Sequence, residues 1–241
     1  MNHTSLTEPV SGGLNISVIS TGPEYSLSDP LWAINWFDVK SKFLYDFYNT
    51  LAVSHVTSVK GVPFFKGQLI RRIEGQDVDE RELLLIVYYP SPESFLTMIK
   101  SKVFQVKSFL RVWAVKDFTF GFMKRRDDGE MPKGNLSKYE GKLMFLVHHF
   151  KNGHIGFDAL KLKDLAASFD VFTYFSGIKS HLIGKRRKND KLKTAPFNMD
   201  GLLIFAAFEE TQFEDLLNSI SYKEFIKDNQ SNYIGLYRRE I

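Results

Sequence analysis

"GLLIFAAFEETQFEDLLNS" (Gly201–Ser219) decides the fold, because "ELLLIVYYPSPESFLTMIKS" (Glu82–Ser101) is built on the same plan. Each opens on an apolar run, breaks at a short polar turn carrying glutamate, and resumes with helical spacing up to a serine. Adding 118 carries Leu84 to Leu202, Ile86 to Ile204, Phe95 to Phe213 and Ser101 to Ser219. After a four-residue deletion, adding 114 carries Phe120-Gly121-Phe122 onto Ile234-Gly235-Leu236. The chain reads as a tandem duplication, so whatever architecture one copy specifies, the other repeats.

Working outward from the first copy, "LWAINWFDV" (Leu31–Val39) is a strand ended by charge. Lys40–Val56 follows as a helix, with Phe43, Phe47, Leu51 and His55 at i, i+4 spacing as its expected apolar stripe. Phe64–Gly75 reads as a second strand and Leu83–Tyr89 as a third. "PSPES" then opens a helix whose inner face is Phe95, Met98 and Ile99, since proline and glutamate suit a first helical turn. Asp117–Lys124 closes as a fourth strand. The order β-α-β-β-α-β is the ferredoxin-like unit. The second copy supplies strands at Lys142–Phe150, Gly177–Arg187, Leu202–Phe208 and Asn232–Glu240, with helices at Phe157–Phe172 and through Phe213, Leu216 and Leu217. The divisions expected are an N-terminal arm (1–29, with a short strand in Asn15–Ser20), a first repeat (30–125), a linker (126–141) and a second repeat (142–241).

The third strand settles how the repeats are used. Leu84, Ile86 and Tyr88 point one way and Leu83, Leu85 and Val87 the other, so both faces are apolar. An antiparallel sheet with helices on one side should alternate apolar and polar. The second face therefore needs a cover, and the other repeat's sheet is the economical one. The expected fold is α+β, with two antiparallel sheets packed face to face as an intramolecular α+β barrel. One chain then completes the barrel. A monomer is expected, with a domain-swapped dimer as the other arrangement of the same surfaces.

On "KGVPFFKG" (Lys60–Gly67), "YPSPESF" (Tyr89–Phe95) and the Ser101, Phe104, Arg111 series, the first repeat resembles domain-of-unknown-function family 1330 of the dimeric α+β-barrel superfamily. The second repeat keeps Gly177, Gly184, Ser219 and Tyr222 but lacks the Pro-Ser pair and a counterpart to Arg111. The resemblance implies the barrel fold. It also implies a superfamily that holds cofactor-free monooxygenases, polyketide-processing and haem-degrading enzymes, and plain ligand binders. Fold does not choose among them.

Composition narrows the field. The chain has 241 residues, 44% hydrophobic and 25% charged, with 22 phenylalanines to furnish a core. The absence of cysteine excludes disulfides, cysteine nucleophiles and thiolate metal sites. No secretory signal pattern opens the sequence, and no apolar stretch approaches the roughly 20 residues of a membrane helix, so a cytoplasmic protein without a membrane partner is expected. A net charge of +4 is mild for a polyanion binder.

Candidate chemistry is sparse. His55 at the end of the first helix is the one catalytic candidate, as a general base; hydrogen bonding to a terminal carbonyl is the structural alternative. Asn35 is a candidate to orient a ligand oxygen, with Trp36 and Tyr88 as ring walls. Arg111 is a pocket candidate through the resemblance. His148 and His149 are successive strand residues and face opposite sides, so they do not form a metal pair; no metal or other cofactor is expected, and His148 is kept as a ligand-binding candidate. Arg71, Arg72 and Glu74 read as exposed ion-pairing groups. The basic run Lys179–Lys193 reads as a solvated loop, lacking the interleaved aromatics of a single-strand binder, and nucleic acid is not expected as a partner. Two readings of function lead, with nucleic-acid binding through the basic loop Lys179–Lys193 as a third. One is a small-molecule-binding or accessory protein with an aromatic-walled pocket, mainly in the first repeat, taking a small apolar or aromatic ligand. The alternative is a cofactor-independent monooxygenase or cyclase-like enzyme on an aromatic or polyketide-like substrate, with His55 as base. Whether the chain is an enzyme at all is left open.

Overall fold

Strand alternation organises the structure. A computed structural model describes residues 14–17, 29–76, 80–126, 142–150, 159–180, 183–186, 199–229 and 231–240. Most of the expected N-terminal arm, all of the 126–141 linker but Arg126, and most of the basic run fall outside them. The described elements are β1 (Leu14–Ser17), β2 (Leu31–Val39), α1 (Lys42–Ser58), β3 (Val62–Glu74), β4 (Leu83–Tyr89), α2 (Pro92–Lys100), α3 (Lys102–Ala114) and β5 (Val115–Arg125). They continue with β6 (Met144–Phe150), α4 (Ala159–Ala167), β7 (Phe172–Ser180), β8 (Ile183–Arg186), β9 (Gly201–Ala207), α5 (Glu210–Asn218), α6 (Ile220–Asn229) and β10 (Ser231–Arg239).

Eight strands are hydrogen-bonded into a closed barrel in the order β10-β3-β4-β2-β5-β7-β9-β6, and β1 pairs with β8 separately. Within β2–β5 the neighbours run fourth, first, third, second, the ferredoxin-like order, and β6, β7, β9 and β10 run in the same order. The expected barrel is observed, and strand pairing closes it. The edges are joined, with Tyr237 opposite Leu69 and Arg239 opposite Gly67 between β10 and β3. Closure satisfies backbone groups that two open sheets would leave along four edges.

The chain packs as two compact units that do not follow the halves of the sequence. The first takes residues 1–65, 85–122 and 180–197; the second takes 66–84, 123–179 and 198–241. In the first, Leu31, Ala33, Val87 and Tyr89 of the strands meet Val56, Phe95, Met98 and Phe104 of the helices. In the second, Leu146, Leu203, Phe205 and Leu236 meet Ala166, Phe213, Leu216 and Tyr222.

Two local devices recur. The helix expected after each third strand is in fact two helices, broken at Ser101 and at Ser219. Ser101 has extended backbone (φ −62°, ψ 121°), its N–H bonds Met98 O, and its Oγ accepts from Phe104 N. Ser219 does the same with Leu216 O and Tyr222 N. A serine side chain that caps the helix beyond it lets the chain turn without leaving those amides unbonded. The ends of α1 and α4 also match. Lys60 N bonds Thr57 O and Gly61 N bonds Val56 O; Asp170 N bonds Ala167 O and Val171 N bonds Ala166 O. Both are Schellman ends, and both place a non-glycine residue at positive φ, 61° for Lys60 and 54° for Asp170. Lys60→Gly is therefore expected to raise stability by about 0.5–1 kcal/mol, the cost of a Cβ in that region outweighing the extra freedom of the unfolded chain. Urea unfolding midpoints measure it, and a midpoint that falls would show that the lysine side chain contributes more than its backbone costs.

The stripe expected on α1 is also corrected. Phe43 is 79% exposed and Phe47 50%, while Tyr45 and Val56 are buried. The helix is apolar on two sides, and spacing alone does not say which one faces the strands.

Candidate functional site

The sequence candidates are distributed over several places. In the first unit, Trp32 meets Phe64 edge-on at 4.9 Å and Tyr88 at 5.1 Å. Trp32 and Phe64 are buried, and Tyr88 is half-buried. These positions alternate along β2 and β4 with those of the helix-facing cluster, so the rings occupy the opposite strand face. Trp36, at the same parity on β2 as Trp32, is buried too. Asn35 has the other parity, and its Nδ2 donates to Ala33 O and Leu85 O, both at 3.4 Å. The amide thus bridges β2 to β4.

Arg111, near the end of α3, lies 4.5 Å over the Phe118 ring, and its buried Nε has no hydrogen-bond partner among the described residues. Phe118 also meets Phe37, which meets Tyr45. A cation over a ring face is attracted by the ring's quadrupole. Below this group, burial and the Tyr48 hydroxyl push the Tyr89 phenol up, with Arg111 pulling the other way. Tyr89 O–H donates to Met98 Sδ at 3.6 Å and stays protonated.

His55 sits in the last turn of α1. Its Nδ1 lies 3.2 Å from Leu51 O and 3.2 Å from Ser54 Oγ, and its ring is 5.9 Å from Phe104. It belongs to the contact between α1 and α3, on the helix side of the strands rather than the side of Trp32 and Tyr88.

In the second unit His148 and His149 face opposite ways, as strand geometry requires. His148 is fully buried among Phe150, Phe205 and Tyr222 on the helix side of β6. The Tyr222 hydroxyl lies 2.7 Å from its Nε2. Burial holds the imidazole down at about 3, and it pushes the Tyr222 phenol up, so the hydroxyl keeps its proton and donates it to a neutral ring. His149 packs at 4.9 Å against Tyr233, whose hydroxyl is 3.3 Å from that of Tyr237 and is pushed up to about 12, burial being the main cause.

The His148–Tyr222 pair was half legible. Ser219 and Tyr222 stood out through the resemblance, but no sequence signal linked Tyr222 to a histidine 74 residues away. Arg71 and Glu210 form an ion pair, as do Arg72 and Glu80 at 3.4 Å. No group of three or more His, Asp or Glu side chains able to hold a metal occurs among the described residues.

No protein-family model matches the chain, and no curated protein matches it. Solved structures do. An anthrone oxidase-like protein matches at 11% identity and a TM-score of 0.50, over 90% of this chain and 94% of that one. A chlorite dismutase mutant from Candidatus Nitrospira defluvii matches at 11% identity and a TM-score of 0.49, over 90% and 93%. A protein of unknown function from Rhodopseudomonas palustris matches at 19% identity and a TM-score of 0.40, over 42% of this chain and 85% of that one. Likeness at such identity is likeness of fold. The chain has a mixed α/β fold on a closed eight-stranded antiparallel barrel, a fold it shares with the anthrone oxidase-like protein.

Proposed function

We propose that the chain binds a small apolar or aromatic molecule against the ring face of Trp32, Phe64 and Tyr88, and that it holds this ligand without turning it over. The observation that carries the reading is the edge-on ring packing about Trp32, with Tyr88 left half-buried beside it. Ligand sites are mostly apolar and aromatic with a few polar groups to orient the guest. Trp36 extends the wall, and Asn35 fixes β2 against β4 beneath it. Arg111 acts from the helix side by holding Phe118. His148 serves the second half of the chain as a neutral partner of Tyr222. The monooxygenase or cyclase-like alternative needs a base beside the rings; His55 instead has its Nδ1 engaged at a helix end. The anthrone oxidase-like protein shares the fold and lends that alternative no residue.

The reading includes an origin by tandem duplication, within the superfamily and close to domain-of-unknown-function family 1330. The repeated serine breaks at Ser101 and Ser219 and the paired Schellman ends support it, as does the shared strand order. The repeats are taken as 30–125 and 142–241, and a monomer follows, because one chain supplies all eight strands.

Tryptophan emission tests the binding. The chain has three tryptophans, and Trp113 is exposed on α3, so Trp113→Phe removes its background. Titrating that variant with naphthoquinones and anthraquinones is expected to quench Trp32. Tyr88→Ala should weaken the apparent Kd about tenfold, the loss of one well-placed aromatic contact. His55→Ala should bind as the parent does. Absence of quenching across the panel would sink the binding reading. Ligand consumption that disappears in His55→Ala would instead establish the enzyme.

A further inference from the structure

The outward side of α1 and α3 is unlike an ordinary surface. On α3, Val103, Val106, Phe109 and Trp113 are 56%, 75%, 62% and 56% exposed. Their spacing of three and four places them on one stripe, while Phe104 and Ala114 take the buried side. On α1, Phe43 and Phe47 add two more exposed rings one turn apart. The helices lie side by side and antiparallel. At one end Ala114 O accepts from Lys40 N and Ser41 N at 2.8 and 3.1 Å; at the other the His55 and Phe104 rings meet. Phe43 and Phe47 are therefore level with Trp113 and Phe109. Single exposed apolar residues need no explanation, but exposed rings at one level of two neighbouring helices, with Phe109 and Trp113 6.2 Å apart, do.

Charge selects the occupant. Within 40–60 and 100–116 the only carboxylate is Asp46, which Lys42 holds at 3.0 Å. Exposed lysines stand at both ends of the helix pair: Lys40, Lys42 and Lys116 at one, where Asp38 and Asp117 lie just beyond the helices, and Lys60, Lys100 and Lys102 at the other, which has no nearby carboxylate on either helix. A second copy of the chain seated on this face by a two-fold axis would set lysines against lysines. An anionic surface would meet them favourably, with aromatic side chains entering the boundary between headgroups and acyl chains. No helix among the described residues is long and apolar enough to cross a membrane; a helix with one apolar face and basic flanks binds by lying on the surface. The mild net charge that argued against an anionic partner in the sequence is an average, and it conceals this concentration.

We infer that the α1–α3 face docks on the surface of an anionic phospholipid bilayer, with Phe43, Phe47, Phe109 and Trp113 inserted and the flanking lysines on the headgroups. This inference stands apart from the proposed ligand site, which lies on the opposite face of β2 and β4. The test is flotation of the full chain with vesicles of phosphatidylcholine alone and of phosphatidylcholine mixed with phosphatidylglycerol, alongside light scattering of the free protein. Binding is expected only to the anionic vesicles, with Trp113 emission shifting to the blue and the affinity falling as salt rises. Phe43→Ser/Phe109→Ser and Lys100→Glu/Lys102→Glu should each weaken binding at least tenfold. All four positions are exposed, so thermal melts should match the parent. Failure to float with anionic vesicles would overturn the inference, as would equal binding to neutral ones. A dimer of the parent chain that Phe43→Ser/Phe109→Ser converts to monomer would overturn it too, by giving the face to a second copy.

Discussion

Stability is expected to fall by roughly 3 kcal/mol between pH 7 and pH 4 on account of His148 alone. The folded imidazole is held down at about 3 from its ordinary 6.5, and the cause is burial. Between those two values the unfolded chain takes up a proton that the folded chain refuses. The folded state therefore keeps its full advantage above about 6.5 and loses it as the pH falls, at about 1.4 kcal/mol per unit, until the folded ring itself titrates near 3. His148→Leu alone would leave the Tyr222 hydroxyl buried without its partner and add a separate cost of about 1–3 kcal/mol. His148→Leu/Tyr222→Phe removes both polar groups and is the cleaner comparison. Urea unfolding midpoints across this range should decline less steeply for the double variant than for the parent. Parallel declines would show that protonated His148 finds a partner or water inside the fold, and would reopen it as a ligand-facing group.

In the first copy the element order was legible because it rests on long apolar runs. In the second, the helix expected over Phe157–Phe172 ends at Ala167, and the strand expected over Gly177–Arg187 divides into β7, which begins at Phe172, and β8, which pairs with β1. Leu83–Tyr89 and Gly201–Ala207 are buried on both faces, and no helix period fits them as well. The covering of the second face followed from the same residues, although closure by hydrogen bonds at the edges did not, since edge pairing leaves no side-chain signature. The breaks at Ser101 and Ser219 were visible only as matching serines. Nothing in the sequence announces that a serine will turn a helix rather than decorate it, because the deciding quantity is a backbone angle. The site was less legible still. Asn35 and His148 interrupt apolar strands in the way ligand-facing groups do, yet Asn35 bonds the Leu85 carbonyl and His148 the Tyr222 hydroxyl. A polar residue in a strand shows that a partner is needed. It does not show whether protein or ligand supplies it.

Phenylalanine gives the sharpest contrast, because the sequence holds 22 of them and their burial differs widely. Phe213→Ala is expected to cost about 3–5 kcal/mol, the range for emptying an aromatic site in a core that relaxes only in part. The ring is 1% exposed and lies in the cluster of Leu216, Phe205 and Tyr222. Phe95, its counterpart at a spacing of 118, is 6% exposed and is met edge-on by Tyr89 at 5.2 Å and Phe122 at 5.0 Å, so Phe95→Ala should fall in the same range. Phe213→Leu keeps most of the volume and should cost about 1–1.5 kcal/mol, separating the cavity from the loss of apolar area. Phe109→Ala is the opposing case. It occupies an apolar-rich helix, as Phe104 does, yet it is 62% exposed while Phe104 is buried at 9%. Its removal should change stability by no more than about 0.5 kcal/mol. Urea midpoints for the four variants decide the matter. A loss at Phe109 as large as that at Phe213 would mean that the α1–α3 face is covered in the folded protein, and that the rings at Phe43, Phe47 and Trp113 already have a permanent partner.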